Sequence, residues 1–125
     1  MAAGDAGAAR EVLLPGGTYR AARQDGAVNG GTHEEFAGRL AKGAETLLER
    51  MWNPRVLIHG RLAVLWTEYD FHRGGKFSHC GVDAFNLVDT AAGWKIAGFT
   101  YTVETTGCRP SPLGPPAGTN ESKRP

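Results

Sequence analysis

Two glycine-bearing turns constrain this chain more than any other feature. Gly74-Gly75 and Thr90-Ala91-Ala92-Gly93 separate three long runs, at about 61–73, 76–89 and 94–104, rich in alternating apolar and aromatic residues. A Gly-Gly pair supplies the positive φ angles that a two-residue hairpin needs. The three runs therefore read as an antiparallel meander. If Arg73 opposes Lys76, Asp70 falls across from His79, Trp66 from Asp83, Val64 from Phe85 and Leu62 from Leu87. If Asp89 opposes Trp94, Asp83 faces Thr100, Phe85 faces Gly98 and Leu87 faces Ile96. On this register Trp66, Asp83 and Thr100 share the middle of one face, while Tyr69, Phe71, Cys80, Phe99 and Tyr101 share the other.

Both faces so built are largely apolar, whereas a sheet with one wet face alternates apolar and polar. We therefore expect helices over one face and a second subunit over the other, giving a homodimer through the sheet. Upstream, Thr32 and Glu35 form a capping box, and Phe36 and Leu40 make one apolar stripe on the helix that follows, with Gly43 as its stop. From Glu45 the period changes from helical to alternating, with Asn53-Pro54 interrupting the ladder and His59-Gly60 turning the chain. Residues 18–23 read as a short strand, followed by Asp25-Gly26 and a Gly30-Gly31 loop, and Val12-Leu13-Leu14 as the last turn of a helix. This divides the chain into an N-terminal remnant of a helical region (1–16), one domain (17–108) and a Pro-rich tail (109–125) with nothing to pack.

Charge is nearly balanced, with 14 Lys and Arg against 13 Asp and Glu, and no basic block marks a nucleic-acid partner. No run approaches the roughly 20 apolar residues of a membrane span. The first residues carry no secretory signal, so the expected compartment is the cytoplasm, or an exported one if the true N-terminus is longer. Cys80 and Cys108 are too few for a disulfide framework or a zinc site, and read as one buried and one exposed thiol. No phosphate-binding glycine loop occurs, and neither a cofactor nor a metal is expected.

One ordered set of motifs is more specific. Trp66 with Tyr69-Asp70-Phe71, His79-Cys80-Gly81-Val82-Asp83-Ala84-Phe85, Gly93-Trp94-Lys95-Ile96 and Thr106-Gly107-Cys108 together resemble the nuclear transport factor 2-like superfamily, in particular its SnoaL-like and lumazine-binding-labelled group. The resemblance implies an α+β fold of the cystatin-like kind: a cone-shaped, curved antiparallel sheet with helices on its concave face and a pocket between them. It also implies that the first helices are largely missing here, because the family pattern places two of them before its first strand.

Asp83, set among Trp66, Phe85 and Thr100, is the first candidate for chemistry. A carboxylate in an apolar cup has a raised pKa and can act as a general base near neutral pH. It could equally hydrogen-bond Thr100 and pin the sheet. Asp70 opposite His79 reads as a dyad or as an ordinary cross-strand ion pair. Tyr19 and Trp52 read as aromatic walls, while His33, His59 and His72 are expected at the surface. The functional expectation is a binding domain for a small, mostly apolar molecule. The alternatives are a cofactor-independent isomerase, cyclase or dehydratase using Asp83 assisted by His79 and Asp70, and an interaction module with a vestigial pocket.

Overall fold

A computed structural model describes residues 6–42 and 46–116. The elements in chain order are α1 (Ala6–Val12), β1 (Leu13–Arg23), β2 (Val28–Thr32), α2 (His33–Lys42), β3 (Leu47–His59), β4 (Leu62–Arg73), β5 (Lys76–Thr90) and β6 (Gly93–Val103). The strands form one curved, unclosed sheet in the order β2-β1-β6-β5-β4-β3. Neighbours are antiparallel except β1 and β6, which run parallel. The architecture is the α+β cone expected from the sequence.

Local chemistry explains several boundaries. The Glu35 N–H donates to Thr32 Oγ1 at 3.1 Å and the Thr32 N–H donates to Glu35 Oε1 at 2.9 Å, so the capping box opens α2. Gly74 and Gly75 take φ of 56° and 80°, as their hairpin requires. Asn53 sits at φ 53°, and the β3–β4 register shifts between Trp52 and Arg55, where Pro54 has no N–H to give. Gly30 and Gly31, read as a loop, instead lie within β2 and pair with Arg20 and Tyr19. The proposed stop at Gly43 lies outside the described residues.

The core gathers where the helices meet the sheet. Ala9 and Ala37 pack against Leu13, Tyr19 and Phe99, with Phe36, Leu40, Phe85, Ile96 and Tyr101 around them. Tyr19 stacks on Phe99 at 5.5 Å and meets the edge of Phe36 at 5.2 Å. His33 and His72, expected at the surface, are buried; His33 Nδ1 lies 2.8 Å from the Leu14 carbonyl oxygen.

Two single-residue bulges correct the register read from the sequence. Arg73 does oppose Lys76, but the pairing then slips: His72 faces Phe77, Phe71 faces His79 and Ser78 is the extra residue. A second slip at Ala97 leaves Leu87 opposite Ile96 and puts Phe85 opposite Phe99. Each bulge exchanges the two faces of one strand relative to its neighbour. Asp83 consequently faces Thr67 and Tyr101 rather than Trp66 and Thr100.

The cysteines are also corrected: Cys80 and Cys108 form a disulfide, with Cα atoms 6.1 Å apart. The bond ties β5 to the segment after β6. Residues 109–116, read as a tail with nothing to pack, carry the buried Ser111 and Pro116. They lie near Arg50, whose Nη1 donates to the Gly114 carbonyl at 2.7 Å. No helix among the described residues is long and apolar enough to cross a membrane.

Candidate functional site

The concave face of the sheet and α2 enclose a cavity of about 430 Å³. Its helix-covered end is apolar, with Leu13, Phe36, Leu40, Phe85, Ile96 and Phe99. The opposite end carries Arg23, Arg73, Ser78 and His79. Glu49 from β3, Tyr69 from β4 and Asp83 from β5 also line it.

Asp83 is 3% exposed, and its Oδ2 receives no hydrogen bond from any described residue. Burial, followed by the negative charge and hydrogen-bonding carboxyl of Glu49, pushes Asp83 up to about 9. Glu49 is raised as well, chiefly by burial. Two such carboxyls side by side cannot both ionise in so dry a place, so the pair retains a proton at neutral pH. The pair therefore presents a proton donor and a proton acceptor together. Tyr69 adjoins them: burial first, then the Asp83 and Glu49 charges, raises its phenol well above the usual tyrosine range. Its hydroxyl donates to the Thr102 carbonyl at 2.5 Å, so it is committed to the scaffold. Gly81 makes room for that ring, since a Cβ there would fall 2.9 Å from Tyr69 Cε1 and against the Thr102 carbonyl.

His79 stacks on Phe71 at 4.9 Å and meets Tyr69 edge-on. Burial, then Arg73 and Arg23, lowers it to about 4, so the imidazole is neutral under physiological conditions.

Of the residues singled out from the sequence, Asp83, His79 and Phe85 line the cavity. Tyr19 belongs to the aromatic core under α2. Trp66, Thr100, Trp52 and Asp70 fall on the opposite face, because the bulges at Ser78 and Ala97 invert the inferred facing. Trp66 is 51% exposed there. Asp70 is not His79's partner: it accepts from Arg50 Nε at 3.1 Å and Nη2 at 2.7 Å, and its Oδ1 is 3.4 Å from His72 Nε2. Glu49 went unassigned in the sequence: it alternates with Leu48 and Arg50, and the break at Asn53-Pro54 uncouples its facing from the tight turn at Gly60. No cluster of three or more metal-ligating side chains occurs among the described residues.

No family model and no curated protein matches the sequence. Solved structures do match the fold. A nuclear transport factor 2-like protein of unknown function from Silicibacter pomeroyi aligns with a TM-score of 0.63 and 17% identity over 82% of either chain. A nuclear transport factor 2-like protein from Cytophaga hutchinsonii gives 0.65 and 12% identity, covering 80% of this chain and 83% of its own. A candidate dehydratase of the same family from Streptomyces avermitilis gives 0.60 and 17% identity, covering 80% and 82%. At these identities the likeness speaks for architecture and not for activity. With its coiled six-stranded sheet, capping α2 and concave cavity, this chain has the nuclear transport factor 2-like, cystatin-like fold.

Proposed function

We propose that the protein binds a small, mostly apolar molecule in the cone, with the Glu49–Asp83 pair meeting a carbonyl or hydroxyl on it. The observation that carries this reading is Asp83 Oδ2, a buried oxygen facing the cavity with no donor among the described residues. The cavity size lies in the range of small-molecule sites, and its walls are mainly aromatic and aliphatic. The second reading, acid–base catalysis of an isomerase, cyclase or dehydratase kind, is favoured by the shared proton. A neutral acid beside an ionised one can give a proton at one atom while taking one at another. His79 sits at the other end as a neutral hydrogen-bonding group, and Asp70 has no part in it.

Carboxyl-detected NMR on ¹³C-labelled protein tests the pair. Asp83 should titrate well above pH 7, and Glu49→Gln should lower its midpoint by removing the adjacent charge. A midpoint at or below the ordinary value of about 3.9 would refute the reading. The same shift has a stability consequence. A carboxyl whose pKa is raised on folding contributes stability below its unfolded value, and loses it as pH rises towards about 9. Asp83→Asn should therefore gain on the wild type by on the order of 2 kcal/mol between pH 6 and pH 8, measured by urea unfolding.

For the exposed apolar strip of Leu57, Leu62 and Trp66, the occupant we propose is a second copy of the chain. Leu57 is 74% exposed, and all three share the face turned from the cavity. Sedimentation should show a concentration-dependent dimer that Leu57→Glu abolishes; a monomer at every concentration would remove this reading. We also infer that the chain works in an oxidising compartment, against the cytoplasmic expectation, because the Cys80–Cys108 bond is of a kind rarely kept in reducing cytosol.

A further inference from the structure

The cavity has one charged end, and its charge is unbalanced. Arg23 closes β1 and Arg73 closes β4 at that end, while Arg39 stands on α2; all three line the cavity and are exposed. The acids lining it are Glu49 and Asp83, whose burial side by side keeps the pair from carrying more than one negative charge. Among the described residues, the ion pairs engage Arg50 and His72 with Asp70, and none engages these three arginines.

Each guanidinium is instead positioned by rings or by an amide. Arg73 lies over Phe71 at 5.3 Å. Arg39 lies over Tyr19 at 5.2 Å and Phe36 at 6.0 Å, donates to the Tyr19 hydroxyl, and feels the exposed Glu35 carboxylate. Arg23 donates through Nε to Asn29 Oδ1 at 2.5 Å, a bond that does not use its Nη groups. Stacking on an aromatic face orients a guanidinium while sparing its in-plane N–H groups for an oxyanion.

We propose that the cavity is selective for an amphiphilic carboxylate, whose ring or aliphatic body fills the apolar end while its anionic group is held by Arg23 and Arg73 beside His79. The proposal rests on the ligand-binding reading above and deepens it. His79 fits this arrangement. The two guanidinium charges act on it directly, and as a neutral imidazole it adds a hydrogen bond without another positive charge. Ser78 Oγ lies 3.0 Å from His79 Nδ1, which fixes the orientation of the ring. A phosphate monoester would bring a second negative charge, and a neutral sterol-like body would leave both arginines unused. A single carboxylate suits two exposed, separately held guanidiniums whose charge is already partly offset by the acid pair.

The test uses naphthalene-2-carboxylate and its neutral isostere 2-naphthamide, titrated into the full chain by calorimetry near neutral pH. The carboxylate should bind at least about tenfold more tightly, and raising the salt concentration should narrow the gap. Arg23→Gln/Arg73→Gln should bring the two dissociation constants together. Circular dichroism of that variant checks its fold, and the wild-type salt dependence stands as an independent readout. Equal affinities in the wild type, or a preference that survives both substitutions, would overturn the proposal while leaving the ligand-binding reading in place. Binding of neither probe would count against both.

Discussion

Arg50→Met is expected to destabilise the fold by about 3–5 kcal/mol at neutral pH, because it takes the guanidinium away from a fully buried carboxylate. Asp70 is 0% exposed, and Arg50 is the group that makes it tolerable, through two parallel N–H···O bonds at 3.1 and 2.7 Å. Burial alone would raise Asp70, but the Arg50 hydrogen bonds and charge, with His72, hold it below the usual carboxylate range. The sign of the pH effect follows. A carboxylate depressed by folding contributes stability above its unfolded pKa, and that contribution fades as pH falls through the carboxylate range. The penalty for Arg50→Met should therefore be largest near neutrality and shrink in acid. Urea unfolding across that range measures it. Arg50→Met/Asp70→Leu should recover most of the loss, since an apolar pair of similar volume carries no desolvation cost. A loss under about 1 kcal/mol for the single variant would show that water reaches Asp70 freely.

Breaking the Cys80–Cys108 bond should cost about 3.5 kcal/mol, the chain-entropy value for a loop of this length, and lower the melting temperature by on the order of 10 °C. The bridge spans 28 residues and encloses β5 from Cys80 onward, its turn and all of β6. Its removal also frees the segment that carries Ser111 and the Gly114 carbonyl near Arg50, so the two large effects should be less than additive. Melts of wild type with and without reductant, beside Cys80→Ser/Cys108→Ser, measure it. Thiol alkylation of protein from its native cells, before any reduction, tests the compartment: blocked thiols support an oxidising environment, and full alkylation argues for a reducing one.

Much of the scaffold was legible because glycine, proline and capping residues act locally. Thr32 and Glu35 announce α2, Gly74-Gly75 a hairpin, and Asn53-Pro54 a break in β3, each needing only its immediate neighbours. The facing of strands was not legible, since it depends on whether one residue is accommodated outside the ladder. Ser78 and Ala97 are unremarkable residue types, yet each bulge reassigns an entire strand face. Parity within β5 held, so His79, Asp83 and Phe85 do share the cavity, while Trp66, Thr100 and Asp70 moved to its outside. One cue was available. Aligning Leu65 and Phe99 with Phe85 adds that ring to the Tyr69, Phe71, Phe99 and Tyr101 group, from which the bulge-free register separates it. The Glu49–Asp83 pair joins strands that are not neighbours, β3 and β5, and the disulfide joins residues brought close by the β5–β6 turn. Curvature and topology set both, and neither is written in any short window.

The parallel pairing of β1 with β6 bears on how the chain is made. Tyr19 acquires its Phe99 neighbour, and Arg23 its Val103 neighbour, only after almost the whole sheet has been synthesised. During elongation at the ribosome, β1 can pair with β2 and hold α2, but the rest of the sheet that completes their core is absent until the last strand emerges. Assembly is thus deferred to the end of synthesis, the regime in which long-range strand pairing is slow and nascent chains depend most on protection from premature association.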